Sequence, residues 1–117
     1  MSDNITLYHN PRCSKSRATL ELLKNAGNEP QLVEYLKQPP TAETLAGILD
    51  MLGMEPRDLM RKKEKEYREA GLDNPDLSRD ELIAAMVAHP RLIERPILIA
   101  NGKAAIGRPP ERVLEIL

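Results

Sequence analysis

An internal disulfide is the first thing this chain excludes, because only one of its 117 residues, Cys13, is a cysteine. The fold therefore needs no oxidising compartment. Phe and Trp are missing and Tyr occurs three times, so the core must be built from Leu, Ile, Val, Ala and Met. An aromatic platform for single-stranded nucleic acid is excluded with them. An excess of either charge is also absent: 17 Lys and Arg stand against 18 Asp and Glu, a net charge of −1 that gives no electrostatic case for nucleic acid or a membrane surface. No apolar run approaches membrane-spanning length, and Met1-Ser2-Asp3-Asn4-Ile5-Thr6 lacks the basic start and apolar stretch of a signal peptide. A cytoplasmic protein is expected. Two dispersed His and one Cys give no metal-ligand spacing, and there is no glycine-rich phosphate loop, so neither a metal nor a bound cofactor is expected.

What is present is ordinary globular material, 41% hydrophobic and 30% charged, in a length that suits one domain spanning residues 1–117. Ile5-Thr6-Leu7-Tyr8 reads as a strand. From Ser14 to Ala26, Ala18, Leu22, Leu23 and Ala26 recur at helical spacing until Gly27 stops the helix. Gln31-Leu32-Val33-Glu34-Tyr35 reads as a second strand, and strand, helix, strand at this length implies a parallel βαβ crossover. Pro39-Pro40 breaks the chain. Thr41 then caps a helix with Leu45, Ile48, Leu49 and Leu52 on one face before Gly53. Residues 54–76 are irregular and charged, with a partly helical, solvated run at residues 61–66. Ser78-Arg79-Asp80-Glu81 fits a capping box for a helix buried through Leu82, Ile83, Met86 and Val87 and ended by His89-Pro90. Ile97-Leu98-Ile99-Ala100 and Lys103-Ala104-Ala105-Ile106 flank Asn101-Gly102, a strong hairpin signal. A closing helix is expected with Val113, Leu114 and Leu117 on one face. The order predicts an α/β, thioredoxin-like fold with a helical insertion, about 41–90, between the N-terminal βαβ unit and the C-terminal β-hairpin plus helix. That fold places a cis-proline just before the first hairpin strand, where Pro96 stands, so the Arg95–Pro96 peptide is predicted cis.

The chemistry gathers at Tyr8-His9-Asn10-Pro11-Arg12-Cys13-Ser14-Lys15-Ser16-Arg17, where the first strand hands over to the first helix. A thiol at a helix start sits among unpaired backbone N–H groups at the positive end of the dipole, and both favour thiolate. Free cysteine is commonly a small buried hydrophobe, but its neighbours are then apolar. Here they are Arg12, Ser14, Lys15, Ser16 and Arg17. His9, four residues before Cys13, and Arg17, one turn after it, make the thiol look like a nucleophile that can hold an anion beside it; the plainer reading of His9 is a hydrogen bond to the loop backbone. Arg95 and Arg108 each abut a proline in a turn beside a strand, where binding sites are commonly built. His89 reads as a helix-end or surface residue.

These segments, with Leu59-Met60-Arg61-Lys62-Lys63, Ile93-Glu94-Arg95-Pro96-Ile97 and Gly107-Arg108-Pro109, resemble the glutathione/glutaredoxin-coupled arsenate reductase (ArsC) family, in particular its short YfgD-like branch, over essentially the whole chain. The resemblance implies that Cys13 attacks arsenate, or a similar oxyanion, to give a covalent thiol–arsenate adduct. It implies that Arg61, Arg95 and Arg108 hold the oxyanion, that His9 assists the cysteine, and that Asn10 begins the loop, with Arg17 and Pro96 in support. It further implies glutathione as co-substrate and glutaredoxin as the partner that resolves the mixed disulfide. A monomer is expected.

Elementary chemistry agrees with that assignment. A thiolate attacking a dianion needs excess positive charge around it, and guanidinium groups meet oxyanions bidentately. The single thiol fixes the electron route as well: Ser16 stands where a Cys-x-x-Cys motif would put the resolving cysteine, so an external thiol must finish the reaction. The thioredoxin-coupled arsenate reductases are disfavoured, because they use several cysteines and a wider cysteine-to-arginine spacing than Cys13 to Arg17. Two alternatives remain open. One is an Spx-like regulatory module that binds a protein partner, whose redox switch Ser16 removes; the other is a glutaredoxin-like thiol-transfer enzyme, for which an arginine clamp has no use.

Overall fold

A computed structural model describes residues 5–117; the first four residues, on which the expectation about a signal peptide partly rests, lie outside the described residues. The chain divides into two compact units, one of residues 1–38 with 95–117 and one of residues 39–94.

The first unit is a four-stranded mixed sheet with helical segments, and its architecture is the expected thioredoxin-like α/β fold. Its elements are β1 (Thr6–His9), α1 (Ser14–Asn25), β2 (Gln31–Glu34), β3 (Ile97–Ala100), β4 (Lys103–Ile106) and a closing 3₁₀ segment (Pro110–Ile116). The strand order is β2-β1-β3-β4. β1 and β2 pair in parallel as the βαβ reading requires, and β3 runs antiparallel to both β1 and β4. The hairpin turn uses left-handed backbone at both central residues, Asn101 (φ 56°) and Gly102 (φ 72°), the geometry that makes Asn-Gly favoured there. Leu7 pairs with Leu98 across the sheet and Leu98 with Ala105. This row forms the floor of a core closed by Leu23 from α1 and Val113 from the 3₁₀ segment.

Two details depart from the sequence reading. The buried residues of α1 are Ser16, Thr19 and Leu23, while Ala18 and Ala26 are exposed. Residues 16, 19, 20 and 23 also satisfy the i, i+3, i+4, i+7 spacing, so two polar residues occupy the stripe that hydrophobicity alone assigned elsewhere. The closing segment is 3₁₀ rather than α-helical. Its threefold repeat stacks Val113 over Ile116, which join the core, and leaves Leu114 and Leu117 each 42% exposed. The Arg95–Pro96 peptide is cis, and so is Arg108–Pro109.

The second unit is helical: α2 (Ala42–Leu52), a 3₁₀ turn (Pro56–Leu59), α3 (Lys65–Glu69), α4 (Arg79–Ala88) and a second 3₁₀ turn (Pro90–Leu92). Thr41 caps α2 by accepting the Thr44 N–H, and Ser78 and Glu81 form the reciprocal capping box of α4. α2 and α4 pack through Leu45, Ile48 and Leu49 against Leu82, Ile83 and Met86. The charged run at residues 61–66 is partly helical, as expected, its helix beginning at Lys65; before it, Leu59 and Met60 are buried and Met60 bridges Ile93 in a short antiparallel contact. No helix of the described residues is long and apolar enough to cross a membrane.

Leu98 is fully buried between its cross-strand partners Leu7 and Ala105. Leu98→Ala is expected to destabilise the protein by about 2–5 kcal/mol, read as a lower urea midpoint at unchanged slope.

Candidate active site

The site grows out of strand parity. Along β1 the buried positions are Leu7 and His9, so His9 points to the same face as the core leucine, the face that α1 covers. There it meets the polar stripe of α1: His9 Nδ1 lies 2.6 Å from Ser16 Oγ. The same hydroxyl accepts the Asn10 N–H at 3.0 Å. Burial pushes the His9 pKa down, and Arg17 adds to that, while Glu34 opposes it, so the ring is neutral at neutral pH. In the structure His9 bonds the Ser16 side chain of α1 rather than the loop backbone, and so ties the end of β1 to α1.

Between them the chain turns once. The Cys13 N–H donates to the Asn10 carbonyl at 3.0 Å, and Asn10 Oδ1 accepts the Arg12 N–H at 3.0 Å. This closed turn delivers Cys13 to the N-cap of α1 in an extended conformation, φ −94° and ψ 124°. Its thiol is 8% exposed. That burial acts against ionisation and is the largest single influence on the group. The N–H of Ser16, the Arg95 guanidinium, the N–H of Lys15 and a hydrogen bond from Arg95 together outweigh it, and the pKa falls below that of an ordinary thiol.

Arg108 adds a second cation. Its Nη2 lies 3.7 Å from Cys13 Sγ, while its Nε donates to the Arg95 carbonyl at 2.7 Å, so the backbone bearing one arginine aims the other. Gly107 lets this loop come close: its N–H donates to the Pro96 carbonyl at 2.9 Å, and a Cβ there would stand 2.5 Å from Thr19 Oγ1 and 2.8 Å from Pro96 Cγ. The second buried polar residue of α1, Thr19, thus forms part of the seat for the Arg95-Pro96 and Gly107-Arg108 loops.

The structure therefore brings Cys13, Arg95, Arg108, His9, Asn10 and Pro96 together in the sheet unit. Arg17 is on the same turn, but its Nη1 donates to the Pro11 carbonyl at 2.9 Å and so braces the loop from outside. Arg61 belongs to the helical unit, where it pairs with Glu64 at 2.7 Å and Glu94 at 3.8 Å and its N–H donates to the Leu92 carbonyl at 2.7 Å. Sequence reasoning missed Ser16 as a partner of His9, and Thr19 as a seat for the arginine loops. The available signals were the shared parity of Leu7 and His9 and the 16-19-20-23 stripe.

Comparison with known proteins follows this geometry. The pattern of the ArsC family matches residues 8–116. The uncharacterized protein YfgD of Escherichia coli K12 is 57% identical over 118 residues, covering 100% of this chain and 99% of that one. An arsenate reductase of Neisseria meningitidis is 50% identical over 114 residues, covering 97% of each. Among solved structures, the arsenate reductase from Vibrio cholerae superposes with a TM-score of 0.96 at 52% identity, with both chains fully covered.

Two outcomes follow from the site. Alkylation of Cys13 by iodoacetamide is expected to have a pH midpoint below that of a cysteine peptide measured alongside, and Arg95→Met moves that midpoint up; a midpoint equal to the peptide's contradicts the assignment. Gly107→Ala is expected to cost about 1–3 kcal/mol of unfolding free energy, since neither Thr19 nor Pro96 has room to yield to a methyl group.

Proposed function

Because the chain belongs to the ArsC family, we propose that it is an arsenate reductase in which Cys13 is the nucleophile and glutathione with glutaredoxin supplies the electrons. The observation that carries this reading is the pair of guanidinium groups, Arg95 and Arg108, converging on one ionisable sulfur. Two cations at a thiolate leave net positive charge for a second anion, which simple disulfide exchange does not need. The arsenate reductases among the relatives support arsenate as that anion.

The steps proceed as follows. Arginine side chains hold arsenate bidentately while the Cys13 thiolate attacks arsenic. An S–As bond forms and an As–O bond breaks, the oxygen leaving as water with protons from the bound arsenate and from solvent. A glutathione thiolate then attacks Sγ of Cys13. The S–S bond forms, the S–As bond breaks, and its electron pair stays on arsenic, which departs as arsenite. Two electrons have passed to arsenic, and the two sulfurs are oxidised to a mixed disulfide. Glutaredoxin takes up the glutathionyl group, and Cys13 returns to the thiolate. Ser16, where a second cysteine could have stood, requires the outside thiol.

Arg95 and Arg108 hold substrate and adduct in this scheme, and His9, Asn10, Arg17 and Pro96 position the loop. Arg61 is assigned to the oxyanion on the family pattern.

With glutathione, glutaredoxin, glutathione reductase and NADPH present, NADPH oxidation is expected to depend on arsenate and to vanish in Cys13→Ser. Arg108→Met is expected to lower kcat on the order of 10²-fold, as loss of one oxyanion donor does. Oxidation without arsenate, or activity persisting in Cys13→Ser, overturns the reading.

A further inference from the structure

A cavity of about 220 Å³ lies beside the nucleophile turn, on its β2 side, and the oxyanion chemistry does not use it. Asn10, Pro11 and Arg12 form one wall; Glu34, Leu36 and Lys37, at and beyond the end of β2, form the other. The two walls are held together by the sheet, since His9 pairs with Glu34 in the parallel register. Arg12 immediately precedes Cys13, and the Asn10 carbonyl holds the Cys13 N–H. A molecule seated here therefore lies against the turn that delivers Cys13 to α1.

The size and charges of the cavity select its occupant. Pockets that enclose a whole ligand run from about 300 to 1,000 Å³, so this one fits an arm of a molecule whose remainder lies outside. Arg12 and Lys37 are cationic and Glu34 anionic, which suits a zwitterion with more carboxylates than ammonium groups. Lys37 pairs with Glu34 at 3.5 Å with side chains 80% and 45% exposed. Exposed pairs of this kind contribute little to stability, so both charges are open to exchange with a ligand. Pro11 and Leu36 supply apolar surface, and Leu36 is a large hydrophobic side chain left 40% exposed.

We propose that this cavity binds the reducing thiol as an anionic peptide thiol, with a carboxylate on Arg12 and Lys37, its ammonium on Glu34 and its methylenes on Pro11 and Leu36. The assignment rests on the reading that an external thiol completes the arsenate reaction. The site recognises the body of the thiol, and the attack on Cys13 Sγ then proceeds with the electron balance given above.

The test begins with S-methylglutathione, which cannot react, titrated into the isotope-labelled full chain and followed by amide chemical shifts. Saturable shifts are expected at Asn10, Arg12, Leu36 and Lys37, and they are expected to disappear in the Arg12→Glu, Lys37→Glu double variant. Shifts confined to other residues, or undiminished in the variant, overturn the proposal. This measurement involves no arsenate, so a failure of arsenate reduction would leave its result readable. In turnover, the double variant is expected to raise KM for glutathione about tenfold or more, the scale of a lost charge-assisted hydrogen bond. In Lys37→Glu alone, which leaves the nucleophile turn untouched, KM for glutathione should still rise while KM for arsenate, and the rate with 2-mercaptoethanol in place of glutathione, stay unchanged. An equal loss with 2-mercaptoethanol also overturns the proposal.

Discussion

A sulfur that is buried and yet must carry negative charge is the constraint around which the sheet unit is organised. Desolvation alone favours the neutral thiol, and it is the largest influence acting on Cys13. It is overcome only by summing groups from separate parts of the chain: the N–H groups of Ser16 and Lys15 at the start of α1, and the guanidinium of Arg95, 82 residues away in sequence, with Arg108 beside it. Each pKa unit of net shift is about 1.4 kcal/mol of differential stabilisation. The burial that makes ionisation difficult also strengthens each of these interactions, because the dielectric around them is low.

The supporting architecture keeps those groups aimed. The bond from Arg108 Nε to the Arg95 carbonyl couples the two loops, Gly107 brings one against Pro96, and Thr19 fills the space beneath. On the other side of the turn, the His9 and Ser16 pair fixes the strand end relative to the helix that it feeds. A neutral imidazole in this position adds no charge to the site, which leaves the arginines as its cations. The helical unit packs through its own leucine and isoleucine layer, and within it Arg61 is anchored by two carboxylates and a backbone bond.

Much of this was legible in residue order. The turn before Cys13, the caps at Thr41 and Ser78 and the Asn101-Gly102 hairpin are specified by local chemistry, and the cis peptide before β3 by the pattern of the fold; each occurs where the sequence reading places it. The reading weakened where a partner distant in sequence decides the outcome. Ser16 and Thr19 are buried because His9 and Gly107 stand opposite them, and no hydrophobic periodicity announces that. Arg17 looked like part of the sulfur's charge environment from its position one turn along α1, yet its side chain folds back to Pro11. The closing segment tightened to 3₁₀, moving Leu114 and Leu117 outward, because its side chains repeat every three residues.

The strand order β2-β1-β3-β4 places the first strand in the middle of the sheet, with the hairpin that completes it arriving near the end of the chain. During synthesis the nucleophile is therefore made early, and Arg95, whose guanidinium favours its ionisation, follows 82 residues later. A ribosome-bound chain lacking residues beyond about 94 carries Cys13 at a helix start without either guanidinium, and β1 without its antiparallel neighbour. Both the Arg95 contribution that lowers the pKa of its sulfur and much of the burial that opposes it are absent until those residues have been added. The strand order thus makes the charge environment of Cys13 a property of the finished sheet rather than of the turn that carries it.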